Sequence, residues 1–414
     1  MKKNIQAMIA CGILALLVSQ ANAAAPNYNA NQSAEFSGGE HLSLGNGIKL
    51  KFSDKQVEAT NFKFHLQNGL MLSYGEIISF GDYYGTPGSP IVASLPESQR
   101  RGLFIAAYHG LSVDSAAVSE VPQVLSVMHS ELSAIEDGMK HGDKPSDIYK
   151  RIVGDNDRQY NCITGGGCDD QWWLKQGRFL KLAATNDDHF NPNAWTAYLT
   201  GHEIAIEKAL DARQSGDTKK LEDAYAINAF ASHFLADSFA SGHIRTPRTE
   251  LRTMVTPEVA GSLLSHYMHD EENESGLHVH NMRGDKWIAY GDGSYFNSAN
   301  FNNREKIREA LQLSADEIYN AFRYGDTKTT GVLSLVPIAD TTRDQLGEDI
   351  APMFYLDKIE NKLMRRNDLA NLYDFSWTDD WWGWSTVALL SAERGIPRYA
   401  NQIRTMPGFL AAKK

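Results

Sequence analysis

Between positions 97 and 322, apolar residues recur at helical spacing through Glu97–Leu111, Pro122–Met139, Ala194–Arg213, Lys220–Ala240, Pro257–His269 and Asn303–Phe322. A chain so dominated by a 3.6-residue period has to bury its apolar stripes helix against helix, and the expected fold class is mostly α. Pro257 after Thr256 reads as a helix start, and Gly216 and Gly242 read as stops. With 414 residues the chain is long enough for one large core, or for a domain plus a substantial extension. It shows no internal repeat and no low-complexity tract.

The flanks carry less periodicity. Residues 24–53 are rich in Asn, Gly and Ser and read as loop or short strand. Residues 155–186 form a Gly-rich, Trp-containing stretch that reads as a surface excursion. After Thr327 the helical pattern weakens, with Pro337, Pro352 and Pro397 as punctuation and a Trp-dense segment at Trp377–Trp384. Residues 326–414 are therefore assigned to an irregular C-terminal extension, with the boundary near 325. Its indoles suit a membrane interface, but packing of the tail onto the main domain gives the same composition and is the commoner outcome.

Lys2 and Lys3, an apolar run from Met8 to Val18 and the small residues Ala21-Asn22-Ala23 make residues 1–23 a secretory signal peptide, so export to the periplasm or beyond is expected. No later segment approaches about 18 consecutive apolar residues, so the mature chain is expected to be soluble. Cys11 leaves with the signal. Cys162 and Cys168 bracket Ile-Thr-Gly-Gly-Gly and could be two zinc thiolates, but an even, closely spaced pair in an exported chain favours a disulfide. The formal net charge of −11, which becomes more negative without Lys2 and Lys3, disfavours nucleic-acid binding. It does not argue against a small phosphate-bearing substrate drawn to a metal.

The strongest chemical signal closes the Lys220–Ala240 segment: His233-Phe-Leu-Ala-Asp237-Ser-Phe-Ala-Ser-Gly-His243. Positions i and i+4 share a helix face, so an imidazole and a carboxylate can converge on one ion at roughly 2.0–2.2 Å. Ser241-Gly242 lets the chain leave the helix and His243 turn back. Alone, a His-x3-Asp pair more often means a core histidine with its hydrogen-bond partner. Three further places add ligand types: Gly81-Asp82-Tyr83-Tyr84-Gly85, Asp187-Asp188-His189-Phe190, and His266-Tyr-Met-His269-Asp270-Glu271, where His266 and Asp270 repeat the spacing. An all-nitrogen and oxygen set suits zinc in a hydrolytic role. His202-Glu203 lacks the second histidine of a metalloprotease motif and reads as structural. Arg245 and Arg248 could meet a substrate phosphate or pair on the surface, and His278 and His280 could face the site or solvent, with the solvated reading favoured.

The order His189, then His233, Asp237 and His243, then a His-x3-acid element resembles the bacterial zinc-dependent phospholipases C, helical enzymes that share their core with single-strand-specific zinc nucleases. The segments Tyr74–Gly85, Lys181–Phe190, His269–Leu277 and Asn281–Asp292 are similar to the branch exported by Gram-negative bacteria. The resemblance covers residues from about 65 to 325. It implies two or three zinc ions: His189, His233 and Asp237 on one, with Asp82 as both ligand and candidate general base, and His243, His266 and Asp270 on a second. His269 competes with His266 for that place. Many relatives take a further ligand from an N-terminal Trp and a nearby His. No Trp lies near Ala24, and of the early histidines, His41 and His65, the latter is the candidate because it precedes Tyr74–Gly85.

The expectation is thus a secreted zinc-dependent phospholipase C, comprising a catalytic domain at 24–325 and the tail. It would act peripherally on glycerophospholipids, phosphatidylcholine above all, at a membrane or micelle surface, with no nucleic acid as partner. The alternatives are a zinc nuclease or nucleotidase on the same core, and a non-catalytic exported protein that binds zinc or lipid.

Overall fold

The computed structural model describes residues 38–394 except 53–54, 292 and 344–346; the signal peptide expected at 1–23 and the end of the tail lie outside the described residues. Its centre is an antiparallel hairpin of two long helices, α7 (Asn193–Ser215) and α8 (Thr218–Asp237), turned by Gly216 in the left-handed region and capped by Asp217, whose side chain accepts from the Lys219 N–H. Small residues let the two approach closely: Ala197, Gly201, Ala205 and Ala209 on α7, and Ala224, Ala229, Ala231 and Ala236 on α8, are all buried. From Asn228 to Asp237 every residue of α8 is buried, which is the signature of a helix surrounded on all sides. His233 and Asp237 are therefore carried into the middle of the molecule.

Other helices close round this hairpin: α1 (Gly38–Asn46), α2 (Tyr74–Ile78), α3 (Glu97–Ser112), α4 (Ala116–Lys140), α5 (Pro145–Ile163), α6 (Arg178–Ala183) and α12 (Phe301–Tyr324). After α8 come α9 (Ser241–Arg245), α10 (Arg248–Met254) and α11 (Glu258–Ser275). All six helices expected from periodicity are present. α4 starts at Ala116 and runs on through Pro122, because burial of Ala117, Val121 and Val124 outweighs the hydrogen bond a proline removes.

Two expectations fail at glycine-rich stretches. Residues 38–46 form α1 rather than loop, since Gly38 and Gly39 sit against Met128 and Leu132, and Gly45 meets Gly75 of α2 backbone to backbone. Much of the presumed excursion at 155–186 is likewise helical, belonging to α5 and α6. The strands are short antiparallel pairs at the rim: β1 (Lys49–Phe52) with β2 (Lys55–Glu58), β3 (Phe64–His65) with β4 (Met71–Leu72), and β5 (Leu277–His280) with β6 (Lys286–Ala289).

Past position 325 the chain adds a helical turn, α13 (Thr330–Leu333), and then a three-stranded sheet, β7 (Phe354–Asp357), β8 (Lys362–Arg366) and β9 (Trp377–Thr378), followed by α14 (Gly383–Arg394). Met353, Phe354, Leu363, Val387 and Leu390 share a core with Leu251, Leu263, Leu264 and Met268 of α10 and α11, so one apolar cluster spans both sides of position 325. The fully buried Arg366 fastens the joint, donating to both Glu271 carboxylate oxygens at 2.8 and 3.0 Å. Trp381 and Trp384 pack on the same cluster, and the indoles of Trp377 and Trp381 donate to the carbonyls of Pro352 and Leu363, as the packing reading expects. Cys162 and Cys168 are joined, S–S 1.98 Å, in keeping with an oxidising, exported environment. Among the described residues no helix is long and apolar enough to cross a membrane.

Candidate metal centre

Asp237, the last residue of α8, is fully buried and meets a histidine on each oxygen. Its Oδ2 lies 2.8 Å from His189 Nδ1 and 3.3 Å from His233 Nε2, and its Oδ1 lies 3.3 Å from His41 Nε2. Asp82 Oδ1 faces the same rings from the other side, 3.2 Å from His233 Nε2 and 3.6 Å from His189 Nδ1. Residues from four separate parts of the chain thus form two overlapping groups, His41/Asp82/His233 and His189/His233/Asp237, whose ligand atoms lie within 4.8 Å of one another. Ligands at zinc-like distances on a tetrahedron stand about 3.4 Å apart, close to most of these separations.

Local structure fixes each member. The turn after α2 brings Asp82 in beside Gly81, where a side chain could not fit: a Cβ there would stand 2.2 Å from the His233 ring. His233 Nδ1 donates to the Ile78 carbonyl at 3.0 Å, leaving Nε2 aimed between the two carboxylates. His189 ends a single 3-10 turn, Asp187–His189, whose Asp187 is anchored by Arg252 at 2.6 Å.

The electrostatics call for a cation. Asp82 Oδ1 and Asp237 Oδ1 are buried and accept no hydrogen bond of ordinary geometry. Burial pushes both carboxyls up, but the neighbouring imidazoles outweigh it, chiefly through the charge of His233, holding Asp82 at about 2 and Asp237 well below the usual range. The histidines answer in kind: against burial, Asp237 raises His189 to about 9, and Asp237 and Asp82 raise His233. Without a metal ion, imidazolium has to neutralise this pair of carboxylates; with one, the same atoms are a ready donor set. The residues fit a hard or borderline cation bound by nitrogen and oxygen.

The expected second group is laid out differently. Burial pushes His243 well below the ordinary histidine range, and its Nδ1 stands 4.0 Å from Asp237 Oδ1, at the edge of the first group. Its ring neighbour on α11 is the buried His269, at 5.0 Å between centroids. His269 has Asp270 Oδ1 at 3.1 Å from Nδ1 and Asn273 Nδ2 at 3.0 Å from Nε2. His266, on a more exposed face, pairs with Asp270 at 3.3 Å and lies in neither metal-capable group among the described residues. His65 is exposed on β3, and its carbonyl takes a hydrogen bond from Lys219. The early histidine that joins the cluster is His41, carried in by α1. In sequence Gly38-Gly39-Glu40-His41 looks like loop; the signal of a helix there is the apolar Leu42 and Leu44, both buried.

Neighbouring basic residues are structural rather than free. Arg245 is buried in a bidentate pair with Glu272, and Arg248 donates to the carbonyls of Ser262, Ala183 and Ala184. His202 is a core histidine between Asn228 and Glu317, as expected. His278 is half-buried and bonded to Asp349, not solvated.

One side of the centre opens to solvent. His189, Asp188, Tyr84, Ile91, Leu103 and Phe234 are among the residues lining a narrow cleft there. Compared with protein families, curated proteins and solved structures, the chain finds no match in any of the three.

Proposed function

We propose that this chain is an exported zinc-dependent phosphodiester hydrolase of the phospholipase C type, cleaving glycerophospholipids such as phosphatidylcholine at the glycerol side of the phosphate. The observation that carries the reading is the buried Asp82/Asp237 pair set among His41, His189 and His233, with His189 also forming part of the cleft wall. Zinc, when bound, lowers the pKa of coordinated water to about 7 and offsets the charge of a phosphodiester.

The chain's own residues supply the rest. His233, oriented by the Ile78 carbonyl and shared between both groups, and Asp237 hold the ligand geometry. Asp82, ionised at neutral pH, takes the proton of the water whose oxygen bonds to phosphorus and returns it to the glycerol oxygen as the P–O bond breaks, releasing diacylglycerol and a phosphorylated head group. Asp188 accepts from the Ile91 N–H and so fixes the cleft wall, while Ile91, Leu103 and Phe234 give the acylglycerol end an apolar surface.

Incubating the purified protein with phosphatidylcholine and with single-stranded DNA, each with and without chelator, tests the proposal. The expected result is chelator-sensitive release of phosphocholine and intact DNA. DNA cleavage would favour the nuclease alternative, and turnover of neither would favour the binding protein.

A further inference from the structure

Asp82 lies in a turn beyond the end of α2, where no helical ladder fixes the course of the chain. On the inner side of that turn Gly81 rests on the His233 ring. On its outer side the turn meets α6. Arg178 donates from Nε to the Tyr83 carbonyl at 2.6 Å, sets its guanidinium carbon 4.5 Å from the centre of the Tyr84 ring, and donates from Nη2 to Glu120 of α4. The Tyr84 hydroxyl donates to the same Glu120 oxygen at 3.3 Å. Phe179 stacks on the Tyr83 ring, with 5.4 Å between centroids and 17° between planes. Leu182 closes on Gly85, where a Cβ would come within 2.8 Å of its side chain. The three residues that follow Asp82 are thus each in contact with α6.

α6 is itself fixed at its start. The side-chain oxygen of the buried Asn161 accepts from the Gly177 N–H at 2.7 Å, and the carbonyl and hydroxyl of Thr164 accept from the N–H groups of Arg178 and Phe179 at 3.0 and 3.1 Å. Arg178 therefore projects from a braced helix end onto the turn. A planar guanidinium can serve a carbonyl, a carboxylate and a ring face at once, because its donors point in fixed directions and its faces stay free to stack; an ammonium cannot. Among the described residues neither Arg178 nor Glu120 belongs to the metal-capable groups, and neither lines the cleft, so neither is placed to touch metal or substrate. What their contacts do restrain is the backbone that aims the Asp82 carboxylate at His189 and His233.

We infer that Arg178, anchored by Glu120, is a positioning residue for Asp82: it holds the Tyr83–Gly85 turn from outside so that the carboxylate stays on the metal-facing nitrogens of His189 and His233. Its effect on turnover rests on the hydrolase reading, whereas its effect on metal binding rests only on Asp82 as a ligand. A double-mutant cycle in the full-length mature protein separates positioning from general support of the fold, with zinc affinity read by competition with a chromogenic chelator and kcat read on phosphatidylcholine. Arg178→Ala should weaken zinc binding and lower kcat by about tenfold each while Asp82 is present. In the Asp82→Asn background the same substitution should change neither by more than about twofold. Arg178→Lys keeps a cation beside Glu120 without the planar fork, so it should fall between wild type and Arg178→Ala; it is also the variant that decides the matter if Arg178→Ala does not fold. Equal losses in the two backgrounds would make Arg178 a support of the whole fold and overturn the inference. Wild-type zinc affinity and kcat in both Arg178 variants would do so too, by showing that the turn holds itself. The expected cycle in zinc affinity, in a protein that does not hydrolyse phosphatidylcholine, would remove the phospholipase reading and leave the positioning role standing.

Discussion

Two helices in this molecule carry the same His-x3-acid spacing and put it to different ends. On α8, His233 and Asp237 are wholly buried and meet His41, His189 and Asp82. On α11, His266 and Asp270 are partly exposed, with side-chain exposures of 12 % and 26 %, and bind each other. The inward histidine of α11 is His269, three residues further on, and the residue four beyond it is Asn273, not an acid. The spacing places two side chains on one face of a helix; which face looks inward depends on what packs there. The last turns of α8 are enclosed on all sides, whereas α11 leaves one strip, Ser262, His266 and Asp270, only half-buried.

The comparison breaks first if the two acids behave alike. Asp237→Asn should lower metal affinity by more than about 100-fold and abolish hydrolysis, since it removes an anionic ligand that faces His41, His189 and His233. Elemental analysis and turnover check this, with at least two zinc ions expected per wild-type chain and well under that in the variant. Asp82→Asn should cut turnover by about 10²-fold with a smaller loss of zinc, because His189, His233 and Asp237 remain.

A third expected outcome concerns the metal-free protein. His189 is raised to about 9, so the stability it contributes is fully present below the unfolded value of 6.5 and is lost as pH rises through about 9. Asp237 is depressed, so its contribution is present above 3.8 and is lost as pH falls through its lower folded value. Thermal melts of chelated protein should therefore fall from pH 6.5 to 9 by the equivalent of roughly 3 kcal/mol, and His189→Asn should flatten that fall. His41→Ala should weaken metal binding by about tenfold, read by competition with a chromogenic chelator; unchanged affinity would return His41 to a packing role. The smallest effect belongs to α11: Asp270→Asn and His266→Ala should leave zinc content and turnover at wild-type values. A loss there as large as at Asp237 would erase the contrast between the helices.

A good deal of this molecule follows from residue spacing along the chain. Period-3.6 patterning marks the mostly helical class and six of its seven long helices, missing α5, and the cysteine pair marks the disulfide, because both depend on spacing along the chain alone. Spacing likewise marks His189, His233, Asp237 and His243 as ligand types near helix ends and turns, whereas the family resemblance alone carries Asp82 toward them. Only the tertiary structure admitted His41 and left His65 outside. Gly38, Gly39, Gly45 and Gly75 allow helices to touch, and a close approach between distant segments looks on paper like a loop. Only the tertiary structure chose between His266 and His269 as the inward residue of α11, a choice made by the surfaces packed on either side of one amphipathic helix. Likewise Arg366 and Glu271 tie the tail to α11 across 95 positions. Local spacing fixes which side chains share a face, and packing energy summed over the whole core fixes which faces meet.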